Sequence, residues 1–462
     1  MKTALKGLAA KIQPNETNRP CFCGSTMANY LQLMDISEND QLRPSPLIDF
    51  GPLETLDPFA SPTASAGTRA CHQKTAWRVV VAAVYCCFIV DGIAGSIELI
   101  IYKYSTINVG SLVNGVLLVV APVACVLADK FGYRLLLSIG PITASTGIAF
   151  GYFANDDILM ATSAVIAGMG LGLIYSPTII YVTAFFNGKG ALAVGIVMSG
   201  SRMGGIVFSF FTGYLLEHVN RHEVLLVLSG ICMLCFPICH AMTQQTLPYT
   251  EPLTSGKQSI LRIYHNHALL LYTLAILSGA FAFLVPVNFL KDLPAVANST
   301  MQLRFAVLVA LMCADIIGKI VWNVCLDHTG WNPLKLHNVC IFFCGASMFM
   351  MSLCQDIWKI LILTIANAFC AAPFISFATV ILTKLLDVRQ LPVAYGQIQL
   401  MSGIAHFVVP FLAAYINSRA AILSAGGLWM IATLIATLIF FLPRQAPLSE
   451  PVPDQEFKLS VM

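Results

Sequence analysis

The amino-acid sequence predicts an all-α membrane protein with 12 transmembrane helices arranged as two six-helix halves. Hydrophobic residues make up 57% of the 462-residue chain and charged residues only 11%, whereas soluble domains carry about a quarter of charged residues. Apolar runs of about 20 residues, the length that crosses a hydrocarbon core as a helix, recur along the chain. Short motifs also repeat between the two halves of the sequence. Composition, run length and repetition together favour this architecture.

Twelve apolar runs are long enough to be membrane spans, and a polar stretch at residues 243–267 separates six from six. We therefore predict a six-helix bundle at 76–242, a central cytosolic loop at 243–267 and a second six-helix bundle at 268–442. The predicted spans are 77–102, 109–128, 134–153, 158–186, 191–213, 222–241, 268–290, 302–326, 336–355, 358–385, 393–416 and 420–442.

The two ends of the chain differ in composition from the apolar runs. Residues 1–75 are rich in Pro, Ser, Thr, Asn and Asp, and residues 443–462 are similar, so neither segment can bury enough apolar surface to fold. We predict disordered cytosolic tails. Lys and Arg are more frequent in the segments that face the cytosol if both termini do, which favours that orientation. The net charge of +3 gives no indication of a nucleic-acid partner.

Two motifs recur at matching positions of the halves. Asp-x-x-Gly follows the second span at Asp129 and the eighth span at Asp327, 198 positions later. Ala-x-Gly followed by Met-Ser-Gly occurs in the fifth and eleventh spans, with Gly195 and Gly396 separated by 201 positions. Parallel repeats of this kind are typical of transporters whose substrate site lies between the halves near the bilayer midplane. The repeats therefore predict transport by alternating access.

The stretch "LMCADIIGKIVWNVCL" in the eighth span contains Asp315 and Lys319. The i, i+4 spacing places both side chains on one helix face, and a charge at mid-bilayer is costly enough that it should face the bundle interior and have a partner. In the functional interpretation, Lys319 attracts an anionic substrate group, and Asp315 accepts a proton or holds the lysine when the site is empty. The alternative is a buried ion pair that only joins helices.

Four more ionisable side chains lie within predicted spans and are candidates for binding substrate or protons. Asp91 and Glu98 in the first span are seven residues apart and so near one helix face. Arg202 in the fifth span either binds substrate or forms a salt bridge to Asp91 or Glu98. His406 in the eleventh span either relays protons and binds a carboxylate or is simply hydrogen-bonded in place.

A cytosolic gate is predicted at the end of the second and eighth spans. Asp129, Gly132, Arg134 and Asp327 are placed where loop charges and helix ends can lock this side of the protein and release it on opening. The alternative for these residues is an ordinary solvated turn. Small-xxx-small spacing of Gly195 with Ser199, and of Gly200 with Gly204, predicts a helix-packing seam that slides during transport.

The sequence predicts no metal, no cofactor and no catalytic residues. Most of the 15 cysteines lie inside predicted spans, where they pack as small apolar residues. The run Cys232, Cys235, Cys239 and His240 lacks a second half to complete a ligand set. No Ser/His/Asp set or His-rich box is placed at helix ends, so an enzyme is disfavoured. The glycines of "GMGLGL" follow no strand and are expected to allow close helix contact, not to bind phosphate.

The stretch "GMGLGLIYSPTIIYVTAFFNGKGALAVGIVMSGSRMGG" at residues 168–205 resembles the monocarboxylate transporters of the major facilitator superfamily. "DKFGYR", "ADIIGK" and "VAYGQIQLMSGIAHFVVPFLAAYIN" add to the resemblance, which spans residues 77–442. It implies a major facilitator fold and secondary active or facilitative transport of monocarboxylates or related small organic anions across the plasma membrane. It also implies that Lys319 and Asp315 take the roles given above, with proton coupling left open.

The chain departs from the resembling family at its first span. The family's opening signature survives only as "HQKTAW", and Gly95 stands where lactate-carrying members have a lysine. Lys319 also replaces the family's usual arginine. Two alternatives therefore stay open: a non-transporting receptor or partner protein on the same fold, and a carrier of aromatic amino acids or thyroid-hormone-like solutes. A small anionic solute, a proton, the lipid bilayer and a single-span accessory subunit are the partners considered.

Overall fold

The computed structural model describes residues 66–104, 111–186, 190–243, 266–386, 390–412 and 415–442. The predicted C-terminal tail, nearly all of the central loop and the first 65 residues of the predicted N-terminal tail lie outside these ranges. The first helix begins at Ala66, so the predicted tail boundary at residue 75 is wrong. The segment "TRACHQKTAW" contains neither proline nor glycine, and it extends the helix beyond the apolar run.

Every element of regular secondary structure in the described residues is a helix. The first half consists of α1 (Ala66–Tyr104), α2 (Leu112–Val119), α3 (Ala121–Phe131), α4 (Tyr133–Phe150), α5 (Asp157–Phe185), α6 (Ala191–His218), α7 (Arg221–Met233) and α8 (Cys235–Met242). The second half consists of α9 (His267–Phe289), α10 (Pro294–Ala297), α11 (Met301–Thr329), α12 (Pro333–Leu353), α13 (Ile357–Ala371), α14 (Pro373–Ser376), α15 (Ala378–Leu385), α16 (Leu391–Leu412) and α17 (Ser418–Leu438).

Within the described residues, ten helical segments are long and apolar enough to cross a membrane, with α7 and α8 counted as one segment and α13 and α14 as another. The pair α2 and α3, bent by 41°, makes an eleventh if it is one span. The remaining predicted span corresponds to α16, which has 22 residues but is less apolar because it contains two glutamines and a histidine. The chain is therefore a multi-pass membrane protein.

Three predicted spans are broken into shorter helices. The second span divides into α2 and α3, the sixth into α7 and α8, and the tenth into α13, α14 and α15. Pro122, Pro237 and Pro373 stand at or near the start of the helix that follows a break. A proline lacks the N–H that would continue the preceding helix. At the break before Pro373, the carbonyl of Phe369 has no proline N–H to accept from. It accepts a hydrogen bond of 2.9 Å from Trp322 Nε1.

The helices that carry the repeated motifs also form the interface between the halves. In this interface α6 packs on α11, while α2 and α3 pack on α16. A β-carbon at Gly195 would lie 2.6 Å from Asn323 Nδ2, and one at Gly396 would lie 2.6 Å from the Cα of Pro122. The same offset of 201 positions relates Gly195 to Gly396 and Pro122 to Asn323. The sequence repeat is therefore also a repeat of contacts between the halves.

The glycines of the Asp-x-x-Gly motif have a backbone role. Gly132 has φ 89° and Gly330 has φ 62°, and they are the two glycines with positive φ among the described residues. Gly132 separates α3 from α4, and Gly330 ends α11. Side-chain-bearing residues rarely adopt this backbone region, which explains why both copies of the motif end in glycine.

Other glycines allow helices to approach one another within the first half. Gly168 and Gly172 lie against the backbone of α2, and Gly170 lies against Ala144 of α4, which confirms the helix-contact interpretation of "GMGLGL". Gly200 and Gly204 lie against α1 of the same half. The predicted packing seam is therefore confirmed as close helix contact: Gly195 lies against the other half, and Gly200 and Gly204 lie against α1. Its sliding during transport stays a prediction.

Candidate functional site

The ion pair in the eighth span is buried inside the bundle. Asp315 and Lys319 on α11 are 4% and 5% exposed, and Lys319 Nζ donates a hydrogen bond of 2.5 Å to Asp315 Oδ2. Both residues come from the helix that packs against α6 of the first half. The pair therefore faces the protein interior and not the lipid, as the cost of burying charge in hydrocarbon requires.

Arg202 of α6 reaches the same carboxylate from the other half of the protein. Its Nε lies 3.0 Å from Asp315 Oδ2, so one oxygen accepts from two cations. Arg202 thus pairs with Asp315 and not with Asp91 or Glu98, the partners considered from the sequence. The guanidinium also lies 5.4 Å from the ring centroid of Phe283 on α9, a favourable cation–π distance. Asp315 Oδ1 is buried and has no hydrogen-bond partner.

Asp91 of α1 lies beside this group of charges. Its Oδ2 accepts a hydrogen bond from the Ser201 hydroxyl, and its carboxylate interacts electrostatically with Arg202 and Lys319. The structure therefore brings together two acids and two bases from three helices and both halves. We call Asp91, Arg202, Asp315 and Lys319 the central charge cluster. Its formal charges sum to zero.

Open space adjoins the cluster along α1. Gly95 lies one helical turn beyond Asp91, and a β-carbon placed there would meet nothing within 4 Å. Gly92, by contrast, is covered by the ring of Phe208. The position where lactate-carrying members of the resembling family have a lysine is thus an unfilled volume here.

Glu98 has a different environment from the other acids. Its Oε1 accepts a hydrogen bond of 3.2 Å from the backbone N–H of Asn114 in the first turn of α2. A carboxylate at a helix N-terminus satisfies a free N–H group and interacts favourably with the helix dipole. The structure therefore places Glu98 at the start of α2 and outside the central charge cluster.

His406 of α16 is half-buried, and its Nδ1 donates a hydrogen bond of 2.8 Å to the Ser402 carbonyl one turn earlier. This contact matches the interpretation of a histidine hydrogen-bonded in place. Arg202 is the member of the cluster that lies nearest in effect to this ring. His406 therefore lies at the periphery of the cluster.

The predicted gate residues are separated in the structure. Asp327 Oδ2 accepts a hydrogen bond of 2.8 Å from the backbone N–H of Leu192, in the first turn of α6, so this contact crosses between the halves. Arg134 instead lies 2.9 Å from His240 within the first half, measured from Nη2 to Nε2. Asp129 occupies the last turn of α3, and Gly132 forms the turn after it.

Sequence reasoning missed the uncharged residues around the cluster. Tyr175 lies near Asp91 and Arg202, and Tyr395 is buried with an unpartnered hydroxyl. Uncharged residues of these types are common in any span, so the sequence carries no signal for them. Only Ser201 stands next to a predicted site residue. Among the described residues no group of His, Cys, Asp and Glu is arranged to hold a metal ion.

Two helical halves with a cluster of charges at their interface are the architecture of secondary transporters. The family model described as Major Facilitator Superfamily matches residues 79–358. The chain belongs to this superfamily.

Several curated relatives are monocarboxylate transporters. Monocarboxylate transporter 12-B of Danio rerio is 23% identical over 340 residues, covering 65% of this chain and 70% of the relative. Monocarboxylate transporter 13 of Bos taurus is 22% identical, covering 72% and 79%. Human monocarboxylate transporter 12 is 32% identical over 151 residues, covering 32% of this chain and 29% of the relative. The chain is a divergent relative of these transporters.

Solved structures support the fold. The Escherichia coli fucose:proton symporter FucP has a TM-score of 0.58 at 16% identity and covers 78% of this chain and 99% of its own. The human organic anion transporter MFSD10 (TETRAN) has a TM-score of 0.56 at 12% identity, with the same coverage of 78% and 99%. At these identities the similarity concerns the architecture alone.

Proposed function

We propose that the protein carries monocarboxylates or related small organic anions across the plasma membrane by alternating access, with both termini in the cytosol. The observation that supports this most is the pairing of Asp315 with both Lys319 and Arg202 between the halves. Lys319 and Arg202 converge on one carboxylate oxygen, so they are also positioned to bind the carboxylate of a solute.

The cluster suggests how a carboxylate would bind. In the empty site Asp315 neutralises both cations, which avoids leaving a buried charge unpaired. A substrate carboxylate would compete with Asp315 for Lys319 and Arg202, forming charge-assisted hydrogen bonds that are stronger than neutral ones. Because the cluster is neutral before binding, a bound monoanion adds one negative charge. Either a proton or a cationic group on the solute must compensate for it.

The contacts between α6 and α11 suggest which parts separate during transport. The Asp327–Leu192 hydrogen bond joins one end of this helix pair, which we assign to the cytosolic side. The rings of Phe210 and Phe305, with centroids 5.3 Å apart, join the other end. Both contacts are made in this structure. In alternating access the two ends open in turn around the central charge cluster, so each contact is expected to break when its own end opens.

Replacing Asp327 with alanine is expected to slow uptake about fivefold with little change in the KM for solute. Removing a carboxylate from a helix start costs about 1 kcal/mol of stability. Here the cost affects only the state of the transport cycle in which the cytosolic end is closed. Asp356→Ala is the matched control, because Asp356 Oδ1 caps α13 through the N–H of Trp358, two residues along the same chain segment. Equal slowing in both variants would contradict the role of Asp327 between the halves.

A direct test of the proposed function is uptake of labelled carboxylic acids by proteoliposomes that contain the purified full chain. We expect saturable uptake of at least one small carboxylic acid, measured with and without an inward proton gradient. Stimulation by the gradient would show proton coupling. Binding of a carboxylate without any uptake would contradict the carrier assignment and favour a receptor on the same fold, an alternative that Gly95 in place of a family lysine keeps open.

A further inference from the structure

We propose that Asn298 carries an N-linked glycan on the extracellular face of the protein. The inference rests on the orientation in the proposed function, with both termini in the cytosol, and it holds for any transported solute. It follows from an acceptor motif, from the exposure of that motif on the folded protein and from its height above the bilayer.

The loop between α9 and α11 contains the acceptor motif. Asn298-Ser299-Thr300 fits the pattern Asn-x-Ser/Thr with a middle residue other than proline. The pattern occurs twice in the chain, and the other copy is Asn15-Glu16-Thr17, which lies outside the described residues. In the proposed orientation Asn298 is extracellular and Asn15 cytosolic. Because glycans are added on the lumenal side of the secretory pathway, only Asn298 can receive one.

The fold presents Asn298 to solvent on an anchored loop. Leu293 and Val296 are each 1% exposed, and their burial fixes α10 to the core. Asn298 follows α10 directly, and its backbone N–H donates a hydrogen bond of 3.1 Å to the Pro294 carbonyl. The residue itself is exposed. The folded protein therefore leaves space for a bulky glycan at this position.

Thr300, whose hydroxyl the motif requires, is also exposed. It is the N-cap residue of α11, a position where a threonine hydroxyl usually accepts a hydrogen bond from a backbone N–H of the first turn. The Thr300 side chain makes no such capping bond. Helix capping therefore does not explain a threonine at this position, whereas recognition of the acceptor motif does.

The motif stands clear of the hydrocarbon core. Along α11, which begins at Met301, the first residue lies about 20 Å from Asp315 at a rise of about 1.5 Å per residue. Half of the hydrocarbon thickness is about 15 Å, so a charge cluster near the midplane places the start of α11 outside it. Lys291 and Asp292, both exposed, mark the same boundary at the end of α9.

The modification is a group transfer from a lipid-linked oligosaccharide. Asn298 Nδ2 forms a bond to the anomeric carbon of the first sugar, and the bond between that carbon and the lipid pyrophosphate breaks. The lipid pyrophosphate is the leaving group, and the proton that the amide loses balances its charge. No oxidant or reductant is consumed.

The test is enzymatic deglycosylation of the full chain expressed in a vertebrate cell line. Peptide-N-glycosidase F is expected to shift the wild-type band by one glycan and to convert Asn298 to aspartate, as read by mass spectrometry. Asn298→Gln and Thr300→Ala are expected to abolish the shift, and Thr300→Ser is expected to keep it because serine also fits the motif. Asn15→Gln is the matched control and is expected to behave as wild type.

A second readout reports the orientation without the glycan. Asn298→Cys is treated in intact cells with a membrane-impermeant maleimide, alongside Lys335→Cys, an exposed position in the first turn of α12 on the proposed cytosolic side. Labelling above the wild-type background is expected at position 298 and absent at position 335.

The outcomes separate this inference from the proposed function. Labelling of position 298 from outside, with no glycan on the wild-type protein, would overturn the inference while the orientation stands. A glycan at Asn15, or labelling of position 335 in place of 298, would overturn the orientation and the inference together. Solute uptake by Asn298→Gln is expected to match that of wild type, so the carrier assignment is tested independently of the glycan.

Discussion

Lys319→Ala is expected to reduce uptake of the transported carboxylate by at least about 30-fold. Removing one partner of a buried, hydrogen-bonded charge pair costs about 2–5 kcal/mol, and Lys319 is one of the two cations that would receive the substrate. The loss is larger than that of a single contact because Asp315 then has only Arg202 and competes more strongly with the substrate for it. The measurement is the initial uptake rate in proteoliposomes at matched protein content.

Two variants serve as controls for this prediction. Lys319→Arg keeps a cation at the position and is expected to retain part of the activity. Lys335→Ala removes an exposed lysine in the first turn of α12 and is expected to transport at the wild-type rate. Wild-type uptake by Lys319→Ala would refute the assignment of Lys319 to anion binding.

Gly204→Ala is expected to lower the melting temperature by several degrees, whereas Gly205→Ala leaves it unchanged or raises it. A β-carbon at Gly204 would overlap the backbone carbonyl of Phe88, while one at Gly205 would meet nothing within 4 Å. Overpacking a well-packed interior costs about 1–3 kcal/mol and more where it shifts backbone. Replacing an unhindered helical glycine by alanine instead gains about 0.5–1 kcal/mol.

Thermal melts in one detergent measure this contrast directly, because the two residues are neighbours on α6 and receive the same methyl group. The yield of monodisperse protein on size exclusion provides a second readout. Equal melting temperatures for the two variants would show that α1 and α6 do not approach as closely as the structure indicates.

The spans and the repeat could be predicted from the sequence because they depend on local properties. An apolar run has the length that the bilayer requires, and i, i+4 spacing fixes the relation of Asp315 to Lys319 within one helix. The glycine of Asp-x-x-Gly was noted as a repeat, but its positive φ became visible only in the structure. The helix break at Pro373 was missed because the apolar run continues through it.

Contacts between helices could not be predicted in the same way. Spacing within α6 gives the helix face on which Arg202 lies. It does not identify the acid on another helix that Arg202 contacts. The partner proved to be Asp315. Similarly, Glu98 and Asp91 share a face of α1, yet Glu98 is engaged by the start of α2. Which neighbour each charge meets is a property of tertiary packing.

The most direct test of the account is the water accessibility of position 95, beside the central charge cluster. Site-specific labelling of Gly95→Cys by a membrane-impermeant maleimide is followed by mass spectrometry in vesicles, with reagent added to one side at a time. Leu434→Cys, an exposed apolar position on α17 that would face lipid, is the control. If the substrate site opens alternately to each side, position 95 is labelled from both sides and position 434 from neither. Protection of position 95 from both sides would contradict a substrate site that opens alternately to each.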